Sequence, residues 1–454
     1  MKIDAKLIAA DLAKPAARVL ELAGDKARLL HRHWDDARGA PVFTVQGKYT
    51  AHPWTEWTRG FQYGLAILAF DGTDQLDLLE LGRTKTVQFM APHVSNLGVH
   101  DHGFNNISTY GNLRRLMREK RITFDKWELA FYEMAIKASG AVQAARWSQL
   151  PDGGYIYSFN GPHSLFIDAI RSLRILALAH QLGQVLMAQN GDKVSLLDRL
   201  IAHAKTTAQY NIYYGTGRDA YDTPAARGRT AQEVIFAGRD SLLHYPASQQ
   251  GYSPRSTWTR GLAWAILGCV EQLEFLRSLG PAQRQHEIME TLEKAARATA
   301  DLYIDHATAA DGIPYWDTAA PNLHRLGEWR LRNAEPFNEH EPVDSSAAAI
   351  AAQGLLRLGK YVAAGGSRYT AAGLTVARTL FNAGYLSESA EHQGLLLHSV
   401  YHRPSAWDFI PPECKVPCGE SSLWGDYHAA ELAIYLQRMA DPKRPYYAFF
   451  DAAD

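Results

Sequence analysis

Six short clusters of polar and aromatic residues recur along this 454-residue chain and hold side chains that could take part in catalysis. They are WTRGFQYG from Trp57, HDHGFNN from His100, FIDAIRS from Phe166, STWTRGLAW from Ser256, DSSAAAIAA from Asp344 and SSLWGDYHAAEL from Ser421. The clusters supply four aspartates and four tryptophans: Asp101, Asp168, Asp344, Asp426, Trp57, Trp258, Trp264 and Trp424. An aromatic ring stacks on the apolar face of a pyranose, and a carboxylic acid transfers the proton. For any one tryptophan core packing is the simpler explanation, but four at such clusters favour a sugar site.

The aspartates have a second explanation, because Asp is a favoured helix N-cap that binds free backbone amides. Asp344 is followed by two serines, and we expect it to be a cap. Asp168 lies between aromatic and aliphatic residues in FIDAI, where an acid should have a raised pKa that suits a general acid. Glu233 is in a long loop and either reaches the same cavity or is solvated.

The sequence favours neither a cofactor nor a metal. GTGRDA at Gly215 has only two glycines of the dinucleotide fingerprint and lacks its strand, turn and helix. The run from His100 to His102 resembles metal ligands, but neighbouring helical residues point about 100° apart and no partner pair accompanies them. Cys414 and Cys418 are four residues apart, a spacing that supports neither a zinc ribbon nor a redox pair.

Charge and composition exclude several classes of protein. The chain has 47 basic and 48 acidic side chains, so a net charge of -1 gives no surplus for binding nucleic acid or a membrane surface. No apolar run is long enough to cross a bilayer, and the amino-terminal region lacks the continuous apolar stretch of a signal peptide. We expect a cytoplasmic protein, or a periplasmic one if a leader has been removed, and leave its oligomeric state open.

Helical periodicity dominates the chain and predicts two shells of helices. Residues 288–302 have one apolar stripe, whereas 261–270 and 347–356 carry no charge and must be buried on all sides. The clusters start roughly 40 to 95 residues apart, enough for an inner helix, an outer helix and a loop. We therefore predict an all-α, single-domain (α/α)6 barrel over 1–454, with six helical hairpins whose inner helices begin at the clusters. The long connections 211–256 and 306–343 would form the rim of the cavity.

Several motifs resemble those of the unsaturated glucuronyl hydrolases, glycoside hydrolase family 88. They are QGYSPRSTWTRGLAWAI from Gln250, DGIPYWD from Asp311, DSSAAAIAAQGLL from Asp344 and LWGDYH from Leu423, preceded by WTRGF, HDHGF and IDAI in the same order. The family fold is the (α/α)6 barrel. Its members remove a 4,5-unsaturated uronic acid from the non-reducing end of lyase-generated oligosaccharides, by protonation at C4 and hydration at C5.

The resemblance also implies roles for residues of this chain. Asp168 matches the acid/base and Asp101 the second essential aspartate. The matches to groups near the substrate are His100, Gln250, Arg260 and the aromatic residues Trp57, Trp258 and Trp264. Arg260 either faces the substrate carboxylate or pairs structurally with Asp101 or Asp426.

The chain departs from the family pattern at substrate contacts. Gln249 replaces a histidine, Phe159 replaces a tryptophan before the acid helix, and Arg255 replaces a small or acidic residue. Where the family brings another histidine to the substrate, this chain offers Gln232 and Glu233, and His244 is a possible match for that histidine. We include Phe159 and Glu233 among the expected substrate-binding residues.

Two other functions remain open from the sequence. One is a glycosidase acting on a saturated uronide in the same barrel, with Asp168 as acid and Asp101 or Glu233 as base. The other is a non-catalytic carbohydrate-binding protein or helical-repeat scaffold, which is disfavoured because the hairpins share length but little sequence.

Overall fold

A computed structural model describes the chain except for residues 54, 238–242, 282, 284 and 451–454 and the side chains of 243 and 244. The α-helices are α1 (Ala13–His33), α2 (Arg59–Thr73), α3 (Leu76–Phe89), α4 (Ala91–Val94), α5 (His102–Asn106), α6 (Asn112–Arg118), α7 (Lys126–Ala145), α8 (Ala169–Ser172), α9 (Arg174–Gln181), α10 (Leu196–Tyr210), α11 (Thr259–Ser278), α12 (His286–Leu302), α13 (Ser345–Tyr361), α14 (Gly366–Leu380) and α15 (Leu423–Ala440). A π-helical turn, Ile107–Gly111, joins α5 to α6, and another, Tyr303–Ala307, follows α12.

The helices form the two predicted shells. Helices α2, α5–α6, α8–α9, α11, α13 and α15 pack side by side in that order, and α15 returns to α2 to close the inner ring. Helices α1, α3, α7, α10, α12 and α14 lie outside them. The predicted (α/α)6 barrel is therefore confirmed, and each of the six clusters lies at the start of an inner helix.

Burial follows the sequence pattern. Helices α11, α13 and α15 are buried around almost their whole circumference, whereas α12 buries one stripe and exposes its glutamates. Charged side chains in the centre of the barrel form ion pairs with one another. Arg171 on α8 donates to Glu271 on α11 at 3.0 Å and to Glu431 on α15 at 2.7 Å. Although burial opposes it, the guanidinium of Arg171 holds the pKa of Glu431 below its usual range.

Short antiparallel strands, which the sequence pattern did not indicate, lie in the connections between the helices. They are β1 (Pro41–Val45) with β2 (Lys48–Ala51), β3 (Trp147–Leu150) with β4 (Gly153–Ile156), β6 (Val185–Met187) with β7 (Lys193–Ser195), and a sheet in the order β5 (Ser164–Phe166), β8 (Glu233–Phe236), β9 (Leu243–Ala247). Strand β5 leads directly into Asp168 and α8, so this sheet fixes the entry to one inner helix.

The long connections lie on the side where the inner helices begin. From the first, Gln250 reaches the start of α11, and from the second, Trp316 is buried and donates to Glu341 at 2.7 Å. A third connection, 381–422, was not singled out from the sequence, although it carries Tyr401 into the same region. It also brings the sulfur atoms of Cys414 and Cys418 to 3.1 Å, which their spacing did not indicate. Within the described residues, no helix is both long and apolar enough to span a bilayer.

Candidate active site

The four aspartates at inner-helix starts differ in what their carboxylates bind. Asp344 caps α13 by accepting from two amides of its first turn, as predicted. Asp426 accepts from the two backbone N–H groups of 395–396 at 2.7 and 2.8 Å. Asp168 and Asp101 occupy the N-cap positions of α8 and α5, but neither side chain makes a capping bond. These two carboxylates are therefore available for another purpose.

The imidazole of His100 lies between the two available carboxylates. Its Nε2 atom is 3.1 Å from Oδ1 of Asp168 and 3.8 Å from Oδ1 of Asp101. The imidazole is buried, whereas the Asp168 side chain keeps 14% of its surface exposed and Asp101 keeps 10%. His100, Asp101 and Asp168 therefore lie close together, and the Asp168 side chain is both in contact with His100 and accessible to solvent.

Close packing of α5 against α8 brings this group together. A Cβ on Gly103 would lie 2.2 Å from the Ser172 carbonyl oxygen, so only glycine allows the approach. The Ser172 hydroxyl accepts from the Gly103 amide at 2.9 Å and donates to the His100 carbonyl at 2.6 Å. Gln143 on α7 donates to the same carbonyl at 2.8 Å. The glycine of HDHGF therefore positions the histidine beside Asp168.

Two phenylalanines enclose the imidazole from the side of β5. Phe159 lies nearly parallel to the His100 ring, with centroids 6.3 Å apart, and Phe166 meets it edge-on at 5.6 Å. Phe166 is buried, but half of Phe159 is exposed. Phe159, the residue that replaces the family tryptophan, therefore offers an accessible aromatic face beside the acids.

The pKa values of His100 and Asp101 depend on one another's charge and on that of Asp168, because the three side chains are close together. Burial raises the pKa of Asp101 to about 6, reinforced by the charge of Asp168 and opposed by His100. Burial lowers the pKa of His100, but the two carboxylates outweigh it and raise that pKa above its usual value. Asp101 is the more deeply buried of the two aspartates.

The tryptophans are not equivalent. Trp57 is partly exposed, stacks on Trp424 with centroids 5.2 Å apart, and donates from Nε1 to the Tyr401 hydroxyl at 3.2 Å. Trp258 and Trp264 are buried, the first beneath the guanidinium of Arg260 and the second against Phe104 and other rings. Trp57 and Phe159 are therefore the rings of the predicted set that a sugar can reach.

Arg260 is held on several sides by the protein. Its Nη1 donates to Asp344 at 2.8 Å and to the Val400 carbonyl, and its Nη2 donates to the Tyr401 carbonyl and to Oε1 of Gln250, both at 2.8 Å. The structural alternative is thus observed, but the partner is Asp344 rather than Asp101 or Asp426. Because arginine only donates, it fixes the Gln250 amide with its oxygen inward, and the NH₂ group is left to face other partners.

Glu233 is neither solvated nor free. It is buried in β8 opposite Phe166, and its Oε1 accepts from Nδ2 of Asn160 at 2.9 Å and from the Ser164 hydroxyl. It supports the segment that carries Phe159 rather than reaching past it. Gln232 accepts through Oε1 from the amides of Gln249 and Gln250, while the side chain of His244 lies outside the described residues.

Comparisons with known proteins find relatives of similar sequence and fold, although no family model matches the chain. The chain is 25% identical over 429 residues to an unsaturated glucuronyl hydrolase of Bacillus sp. strain GL1, covering 91% of this chain and 94% of that protein. It is 23% identical over 390 residues to an unsaturated chondroitin disaccharide hydrolase of Streptococcus agalactiae serotype III, strain NEM316, covering 84% and 81%. The fold matches the crystal structure of an unsaturated glucuronyl hydrolase specific for heparin with a TM-score of 0.71 at 20% identity, over 95% and 98% of the chains. These relatives confirm the resemblance that the motifs indicated.

Proposed function

We propose that this chain, a relative of the unsaturated glucuronyl hydrolases, is a glycoside hydrolase that removes a 4,5-unsaturated uronic acid from the non-reducing end of lyase-generated oligosaccharides. The relatives support the class of substrate, since their names include glucuronyl and chondroitin disaccharide hydrolases and an enzyme specific for heparin. The sugar attached to the uronic acid differs among them. We therefore assign the unsaturated uronide and leave the second sugar unassigned.

The observation that carries the proposal is the position of Asp168. Its carboxyl group lies at a helix start without capping the helix, remains partly exposed, and has an imidazole nitrogen 3.1 Å away. A general acid needs to lie within hydrogen-bond reach of the atom it protonates, and a carboxyl group that caps no helix and is open to solvent is available for that task.

The chemistry follows from the enol ether of the substrate. Asp168 donates a proton to C4, which leaves positive charge shared by C5 and the ring oxygen. The Asp168 carboxylate then accepts a proton from the water that adds to C5. The product is a hemiketal, which opens and releases the remaining sugar. One carboxyl group serves both steps because protonation and water attack occur on neighbouring carbons, so the separation rules for paired carboxylates do not apply.

The neighbouring residues have separate tasks in this scheme. His100 positions the Asp168 carboxyl group through Nε2, and Asp101 lies 3.8 Å from the same nitrogen atom. Trp57 and Phe159 flank the sugar. The NH₂ group of Gln250, oriented by Arg260, is a hydrogen-bond donor for a substrate oxygen.

A glycosidase acting on a saturated uronide is the alternative that an experiment must separate. It needs a second carboxylate as base, and Glu233 is unsuited to that task because Asn160 and Ser164 already bind it. Asp101 is then the remaining candidate for the base of a saturated-uronide glycosidase.

The test is incubation with an unsaturated uronyl disaccharide and, separately, with a saturated glucuronide. The proposed reaction destroys the conjugated enol ether, so its ultraviolet absorbance must fall as the second sugar is released. Release of a saturated uronic acid with the absorbance unchanged would identify the alternative. Binding without any turnover would identify a carbohydrate-binding protein.

A further inference from the structure

Two cysteines meet in the connection 381–422, outside the candidate active site. The Sγ atoms of Cys414 and Cys418 are 3.1 Å apart, and the Cys418 thiol donates a hydrogen bond to the Cys414 sulfur. A disulfide bond is roughly 2 Å long, so the atoms need to approach by only about 1 Å. Both residues lie in a non-helical segment, where the amide of Cys414 closes a turn onto the Pro411 carbonyl at 2.9 Å.

We propose that Cys414 and Cys418 are a redox modification site that forms a reversible intramolecular disulfide. The site is independent of the proposed function. The disulfide would constrain the part of the connection 381–422 that follows Tyr401, whose carbonyl accepts a hydrogen bond from Arg260.

The surroundings of the two thiols favour a small oxidant. Both line a cavity of about 420 Å³, together with Gln46, Phe337, Phe409 and the residues 411–413 and 419–420. Cys418 is buried, whereas Cys414 is partly exposed. Cys269, in the middle of α11, is fully buried and lines no part of this cavity.

The two thiols have different roles in the reaction. Cys414 is the more exposed thiol and accepts the hydrogen bond that Cys418 donates, so Cys414 meets the oxidant first. Burial and the neighbouring Cys414 raise the pKa of the Cys418 thiol. With hydrogen peroxide, the Cys414 thiolate becomes a sulfenic acid and hydroxide leaves. The Cys418 sulfur then attacks it, the disulfide forms, and a water molecule leaves. Two thiols are thereby oxidised by two electrons, and one peroxide is reduced.

A shared metal is a poorer explanation of the pair. Over the part of the chain that the structure describes, no three His, Cys, Asp or Glu side chains are grouped to hold an ion. Two thiolates alone do not complete a tetrahedral zinc site.

The experiment is a thiol count on the full chain before and after treatment with hydrogen peroxide, with thiols titrated in denaturant. The three free thiols should fall to one, the monomer mass should fall by about 2 Da, and dithiothreitol should restore both. Peptide mapping should place the bond between Cys414 and Cys418.

Two variants provide matched controls. Cys269→Ser should lose both of its thiols to the disulfide, whereas Cys418→Ser should form no intramolecular bond. Retention of three thiols by the original chain would overturn the proposal. So would a dimer linked between chains, or oxidation of Cys414 that stops at sulfinic acid and resists dithiothreitol.

Discussion

Asp168 begins helix α8, yet its carboxylate contacts the imidazole of His100 at 3.1 Å instead of the free amides of its own helix. A carboxylate used as an N-cap contributes about 1 kcal/mol to helix stability, which this chain forgoes. The same is true of Asp101 on α5, while Asp344 does cap its helix. Local stability has been given up at the two positions where the proposed reaction needs a free acid.

Replacing Asp168 with asparagine should remove catalysis without unfolding the protein. Asparagine keeps the size of the side chain and can bind His100, but it cannot transfer a proton. We expect kcat to fall by about 10² to 10⁴, measured by loss of the enol-ether absorbance, with an unchanged circular dichroism spectrum.

The matched control for this variant is Asp125→Asn. Asp125 caps α7 on the outside of the barrel through two backbone amides, and asparagine is an equally good cap. It should keep full activity. An Asp168→Asn enzyme that is as active as this control would remove Asp168 from the mechanism.

The raised pKa of Asp101 predicts that Asp101→Asn is more stable than the original protein at neutral pH. Because burial raises the folded pKa to about 6, above the unfolded value, this group's contribution to stability is present in acid and is lost as pH rises through about 6. At pH 7 the ionised group therefore costs free energy that an amide does not. We expect a gain in unfolding free energy of about 1 to 3 kcal/mol at pH 7, together with reduced activity.

The pH dependence distinguishes this effect from a general stabilisation. The difference in unfolding free energy, measured with denaturant, should shrink toward pH 4, because Asp101 is there protonated in the folded state and about half protonated in the unfolded state. A gain that is the same at pH 4 and pH 7 would show that the charge of Asp101 is not its cause.

The architecture was predictable from sequence because the signals that define it are local. Helices without a charged face had to be inner helices, and the clusters at their starts had to share one end of the barrel. The cap at Asp344 likewise depends only on residues within a few positions along the chain. Asp168 was singled out by its apolar neighbours, and the resemblance to a known family then implied roles for both Asp168 and Asp101.

The parts that could not be predicted depend on contacts between distant segments. Tyr401 has no motif of its own and enters the site only because 381–422 folds back over α11 and α15. For Arg260 the sequence left open the substrate carboxylate or a structural pairing with Asp101 or Asp426. Its partner is Asp344 on the adjoining helix α13, where one carboxylate oxygen caps the helix and the other binds Arg260. Glu233 is buried because β8 pairs with β5. Its carboxylate accepts a hydrogen bond from Ser164, which lies 69 residues earlier in the chain.

Phe159 should contribute to substrate binding more than to the chemical step. Half of its surface is exposed, and its ring parallels that of His100. Since an aromatic stack is worth about 0.5 to 1.5 kcal/mol, Phe159→Ala should raise KM roughly two- to tenfold, by the same conversion, with a smaller effect on kcat. Phe159→Trp, which restores the family residue, should keep KM at or below its original value. A fall in kcat alone would mean that Phe159 acts through His100 and does not contact the sugar.

Asp344 and Arg260 should be strongly coupled in stability, because the two side chains are fully buried and bind each other at 2.8 Å. Asp344→Ala removes the cap of α13 and leaves the guanidinium without its counter-ion, which should cost about 3 to 5 kcal/mol of unfolding free energy. Asp344→Asn keeps the cap but not the charge and should cost less. In the double variant Asp344→Ala, Arg260→Met no charge is left unpaired, so denaturant unfolding should show a loss well below the sum of the single losses. Additive losses would indicate that Asp344 stabilises the barrel only as a cap and that Arg260 is held by the carbonyls of 400–401.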